Sequence, residues 1–69
     1  MRTFYTKIKP GTKVAIRGVI KGTMGAFCGN VTSLGNDVYK VRCGEAEYKK
    51  FADWVKERYP RVCMFDYKM

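Results

Sequence analysis

The sequence predicts an α+β domain, mainly β, in which short strands in the order ββββαβ curl into a small, strongly curved, partly open barrel. Three observations carry that expectation. Apolar and polar residues alternate with period two in several short stretches. Gly18, Gly22 and Gly25 punctuate the first half, where a small sheet would have to bend. One segment, about residues 45–59, switches to helical spacing. At 69 residues the chain is a single domain, 1–69, with room for a thin core.

The elements follow in order. In RTFYTKIK, Phe4, Thr6 and Ile8 alternate with Tyr5, Lys7 and Lys9, as in a half-buried strand. Pro10-Gly11 marks a turn. Val14 and Ile16 resume the alternation, with Lys13 and Arg17 on the opposite face, and predict a second strand. FCGNVTSL is β-prone, and Gly29 within it predicts a bulge or bend. Gly35-Asn36-Asp37 reads as a hairpin turn into VYKVRC, where Tyr39, Val41 and Cys43 face one way and Lys40 and Arg42 the other.

Gly44 ends that strand. Tyr48, Phe51, Ala52, Val55 and Tyr59 then recur at helical spacing, with Trp54 on the flank of the stripe. Glu45 and Glu47 in the first turn and Lys56 and Arg58 in the last suit the helix dipole, and Pro60 stops the helix. Phe51 and Trp54 read as core anchors; either one left exposed would be a protein-contact candidate. RVCMFDYK alternates again and predicts a C-terminal strand with Cys63, Phe65 and Tyr67 on one face.

Charge is distributed unevenly. The net charge is +8, and the segment before Asp37 carries Arg2, Lys7, Lys9, Lys13, Arg17 and Lys21 with no acidic residue. Such a single-sign field attracts polyanions, either nucleic acid or an acidic protein or membrane surface.

Several chemistries are excluded on residue type. There is no histidine, and the three cysteines are widely spaced, so neither a zinc site nor any other metal centre is expected. Each cysteine lies in an apolar, strand-like stretch and reads as a free thiol in a reducing, cytoplasmic compartment. MRTFYTKIKP has no apolar core of a secretory signal, and no apolar run approaches a membrane span, so no membrane partner is expected. Lys21-Gly22-Thr23 follows Gly18 at the wrong spacing for a phosphate loop, and no cofactor is expected. Ser33 is the only serine and has no base nearby, while Cys28 reads as a buried, inert thiol. The chain is therefore read as a non-enzyme.

The pattern Gly11-x-x-Val14-x-Ile16, followed by Gly18-x-x-Lys21-Gly22-x-x-Gly25-x-Phe27, resembles the KOW motif. That motif occurs in SH3-like barrels of certain ribosomal proteins and transcription elongation factors. The resemblance covers residues 11–27 and implies an SH3-like barrel with a role in binding RNA, DNA or protein.

The candidate site is the cationic face. Lys7, Lys9, Lys13, Arg17, Lys21, Lys40 and Arg42 are the expected phosphate contacts, with Tyr5 as the residue that stacks on a base. The leading expectation is a small basic protein that binds nucleic acid, DNA or RNA, through the phosphate backbone with low sequence specificity. The alternative is an adaptor or inhibitor that binds an acidic partner protein, such as a bacteriophage protein that modifies host machinery.

Overall fold

The alternation read in the first strand sets the layers of the structure, a computed structural model that describes residues 1–67. Strand β1 (Arg2–Ile8) buries Phe4, Thr6 and Ile8 and leaves Tyr5 and Lys7 on the other side. Helix α1 (Val14–Cys28), the hairpin of β2 (Asn30–Gly35) and β3 (Val38–Cys43), helix α2 (Glu45–Arg58) and a two-residue β4 (Cys63–Met64) follow. The sheet order is β2-β3-β1-β4, and every neighbouring pair is antiparallel. This is a four-stranded antiparallel sheet with split-βαβ connectivity, each helix leading from one strand to another that is not its neighbour.

The coarse expectation holds: the domain is α+β, small and built on one sheet. The order is βαββαβ rather than ββββαβ, and the sheet is open, with β2 and β4 as its edges. Nor is it mainly β, since the helices run to 15 and 14 residues against strands of seven, six, six and two. The turn at Pro10-Gly11, the hairpin and the helix from Glu45 are as the sequence predicts.

The largest correction concerns residues 14–28. Val14 and Ile16 are not on a strand, and Gly18, Gly22 and Gly25 do not bend a sheet; all five lie in α1. The physical reason is a second periodicity in the same stretch. Ile16, Ile20, Met24 and Phe27 recur at four, four and three residues and form one helix face, of which Ile20 and Met24 are fully buried. The glycines fall on the opposite, exposed face. Their cost in helix propensity is offset by burial of that apolar stripe. The residues that resemble KOW, 11–27, thus span a turn and this helix.

Gly29 serves α1 rather than bulging a strand. It ends the helix at φ 83°, and its N–H donates to the Gly25 carbonyl. Asn36 and Asp37 form the two-residue hairpin loop, both at positive φ, which is the backbone that matches the twist of the flanking strands.

The C-terminal strand is shorter than predicted, and its three odd-numbered residues do not share a face. Asp66 has φ 52°, which interrupts the alternation. Phe65 turns inward against Tyr48 and Phe51, whereas Tyr67 lies beside the Lys7 ammonium. Lys68, at the end of that stretch, lies outside the described residues.

Both helices cover the same side of the sheet. Ile20 and Met24 from α1 and Tyr48, Phe51 and Val55 from α2 pack with Phe4, Ile8, Tyr39, Val41 and Cys43. Phe51 is fully buried, and Trp54 is half-buried at the margin of this core, with the Arg58 guanidinium 4.2 Å from its ring centroid. Burial pushes the thiols of Cys28 and Cys63 up to about 12, so both are poor nucleophiles near neutral pH.

Gly18 and Gly22 give a direct check on α1. A Cβ added at either meets no neighbour, and neither has positive φ. Gly18→Ala and Gly22→Ala should each raise stability by about 0.5–1 kcal/mol in urea denaturation. A barrel corner would give the opposite sign.

Candidate nucleic-acid interface

Because both helices sit on one side, no helix covers the other side of the sheet, where Val38 is buried, Thr3, Tyr5, Lys7 and Lys40 are half-buried, and Asn30, Thr32 and Arg42 are exposed. Its residues follow from strand register. Thr3, Tyr5 and Lys7 of β1 stand opposite Arg42, Lys40 and Val38 of β3. Asn30 and Thr32 of β2 stand opposite the same Arg42 and Lys40. Met64 of β4 stands opposite Lys7. One row across the sheet therefore reads Thr32, Lys40, Tyr5, with side chains of neighbouring strands about 5 Å apart.

None of the six acidic residues occupies this face. Asp37 is in the hairpin loop, Glu45, Glu47, Asp53 and Glu57 are on α2, and Asp66 follows β4. Lys7, Lys40 and Arg42 form no ion pair among the described residues. The cations that do pair lie elsewhere: Arg2 with Glu45 and Asp66, Arg17 with Asp37, and Lys49 with Asp53.

Two further features complete the face. A shallow groove of about 340 Å³ is lined by Met1, Asn30, Thr32, Lys40 and Arg42, which combines two cations with two short hydrogen-bonding side chains. At the far edge, the Tyr67 backbone N–H donates to the Tyr5 carbonyl at 2.6 Å, and the Lys7 ammonium lies 5.3 Å from the Tyr67 ring centroid.

The structure therefore brings together Tyr5, Lys7, Lys40 and Arg42, half of the residues singled out in the sequence. The other four lie apart from this face. Lys9 is exposed just past β1, and Lys13 precedes the first turn of α1. Arg17 and Lys21 are four residues apart on one ridge of α1, and Lys13 continues that spacing at the helix N-cap. Lys21 projects toward the Tyr39 ring, 5.7 Å from its centroid, and Tyr39 itself belongs to the core.

Arg17 is committed internally. Its guanidinium donates to both Asp37 carboxylate oxygens and to the Thr12 carbonyl. That hydrogen bond to Arg17 holds the Asp37 carboxyl below its ordinary range and raises the guanidinium in turn. The pair fastens the start of α1 to the hairpin loop.

Asn30, Thr32, Met1 and Tyr67 escaped the sequence reading. Alternation around Val31 places Asn30 and Thr32 on one side of β2, and the hairpin turn sets β2 beside β3, but nothing in the sequence says which side the helices leave free. Tyr67 gave a misleading signal, because strict alternation puts it with Phe65.

Among the described residues, no helix is long and apolar enough to cross a membrane. The chain matches no known protein-family model, no curated protein and no solved structure.

The Arg17–Asp37 pair has a pH signature. A carboxylate whose folded pKa is depressed stabilises the fold above its unfolded pKa, and that contribution is lost as pH falls through the folded value. Asp37→Asn keeps a residue that tolerates positive φ. It should lower stability at pH 7, and the gap from the wild type should narrow as pH falls below 3.8. Denaturation midpoints at pH 7 and pH 3 check this.

Proposed function

We propose that the protein binds nucleic acid through the helix-free face of its sheet, mainly by phosphate contacts and with low sequence specificity. The observation that carries this reading is the acid-free face on which Lys7, Lys40 and Arg42 surround Tyr5 without ion-pair partners among the described residues. Cations not already neutralised by the protein are those that release counterions when they meet phosphate. Lys9, Lys13 and Lys21 add to the long-range field that attracts a polyanion. Arg17 contributes less, since Asp37 already neutralises it. The role assigned is binding, not catalysis. The free thiols of Cys28, Cys43 and Cys63 fit a reducing, cytoplasmic setting.

The same cations would also suit an acidic protein surface, so the test has to separate the two. Fluorescence anisotropy with labelled single-stranded DNA, RNA and duplex DNA should show binding that weakens steeply between 50 and 200 mM salt. Three phosphate contacts correspond to a log–log slope of about −2 to −3. The double variant Lys40→Glu/Arg42→Glu should reduce affinity at least tenfold at low salt and flatten the slope. Lys13→Glu/Lys21→Glu should have a smaller effect. Absence of binding to all three probes at low salt would reject the proposal. A protein partner retained after nuclease treatment, alongside that absence, would favour the adaptor reading.

A further inference from the structure

Resting on that reading, we infer that the ligand is a single-stranded polynucleotide, whose bases stack on Tyr5 and Tyr67 while its backbone runs over the Lys40–Arg42 groove. Three features of the face lead there.

The first is breadth. The outer strand axes of a four-stranded sheet are about 14 Å apart before side chains are counted. The major groove of B-form DNA is about 12 Å wide and admits a helix or a two-stranded ribbon, and that of A-form RNA is narrower. A sheet this broad with two helices behind it does not fit into either major groove. Against a duplex, only its cations would find partners, and the tyrosines would meet no base. A single strand can lay its bases flat on the sheet instead.

The second is the placement of the aromatics. Tyr5 is on a central strand, directly opposite Lys40, so a ring and a cation lie side by side in one row. Tyr67 is held next to it by the hydrogen bond from its N–H to the Tyr5 carbonyl. The preceding residue is also anchored, because the Asp66 N–H donates to the Tyr48 hydroxyl at 2.8 Å. Two tyrosines on adjacent segments, each with a lysine beside it, alternate stacking surfaces with phosphate partners.

The third is the groove. Met1, Asn30, Thr32, Lys40 and Arg42 make a concave, acid-free channel beside Tyr5. Its cations suit phosphates, and its amide and hydroxyl suit sugar or base edges. A strand crossing from this groove over Tyr5 to Tyr67 passes Arg42, Lys40 and Lys7 in turn.

The test compares oligo(dT), oligo(U) and a mixed-sequence duplex of equal length by anisotropy at 50 mM salt, with wild type, Tyr5→Ala, Tyr5→Phe and Tyr67→Ala. Wild type should bind at least one single-stranded probe tenfold or more tighter than duplex. Tyr5→Ala and Tyr67→Ala should each lose about tenfold on that probe, within the range expected for one stacked base, and so lower its preference over duplex. Tyr5→Phe, which keeps the ring, should retain wild-type affinity and serves as the folding control. Duplex binding equal to or tighter than single-strand binding would overturn this inference and leave the proposed function standing. Equal single-strand affinity for folded Tyr5→Ala and wild type would overturn it as well. Failure of wild type to bind any probe, duplex included, would instead defeat the proposed function itself.

Discussion

The Tyr48 side chain joins the parts of this small domain that would otherwise be least secured. Its ring stacks on Phe4 at a centroid separation of 3.9 Å and meets Phe51 and Phe65 at tilted angles. Its hydroxyl shares a 2.9 Å hydrogen bond with Thr6, which is fully buried, and accepts the Asp66 N–H. One residue of α2 thus touches the central strand, satisfies that strand's only buried hydroxyl, and holds the segment after β4. Burial raises the Tyr48 phenol above its ordinary value, so it stays neutral across the physiological range. A thin core depends on such junctions, since it has little apolar area elsewhere to compensate for a polar group left unsatisfied.

That junction also fixes which side of the sheet is open. With Phe4, Thr6 and Ile8 turned toward Tyr48 and the helices, period two puts Thr3, Tyr5 and Lys7 on the far side. Antiparallel register then puts Lys40 and Arg42 beside them. The acids are kept at the hairpin loop, on α2 and after β4, where several pair with Arg2, Arg17 and Lys49. Acidic side chains are thereby kept off one side of the sheet, although the sequence shows only a cationic first half and a balanced second half. The interface proposed above is a consequence of that sorting.

Local patterns in the sequence were legible where only one period was present. RTFYTKI and VYKVRC alternate without competition, and both are strands with the predicted faces. The stripe from Tyr48 to Val55 has no strand alternative, and α2 lies where expected. In residues 14–28 two readings compete. Val14 and Ile16 fit a strand, Ile16, Ile20, Met24 and Phe27 fit a helix, and the glycines weigh against the helix by propensity. Burial of Ile20 and Met24 against the sheet decides, and that is a tertiary fact. The candidate site divided on the same line. Tyr5, Lys7, Lys40 and Arg42 came from the two clean strands and share a face, whereas Lys13, Arg17 and Lys21 came from the ambiguous segment and lie on α1. Tyr67 was hidden by the positive φ at Asp66, which no period encodes.

The proposed binding surface is the helix-free face of the sheet rather than the α1 ridge. Amide chemical-shift mapping of the 15N-labelled protein titrated with a short single-stranded oligonucleotide tests it most directly. The largest shifts are expected at Thr3, Tyr5, Lys7, Asn30, Thr32, Lys40, Arg42 and Tyr67, with the stretch from Lys13 to Lys21 nearly unmoved. Shifts concentrated along α1 and absent from β1 and β3 would contradict the proposal.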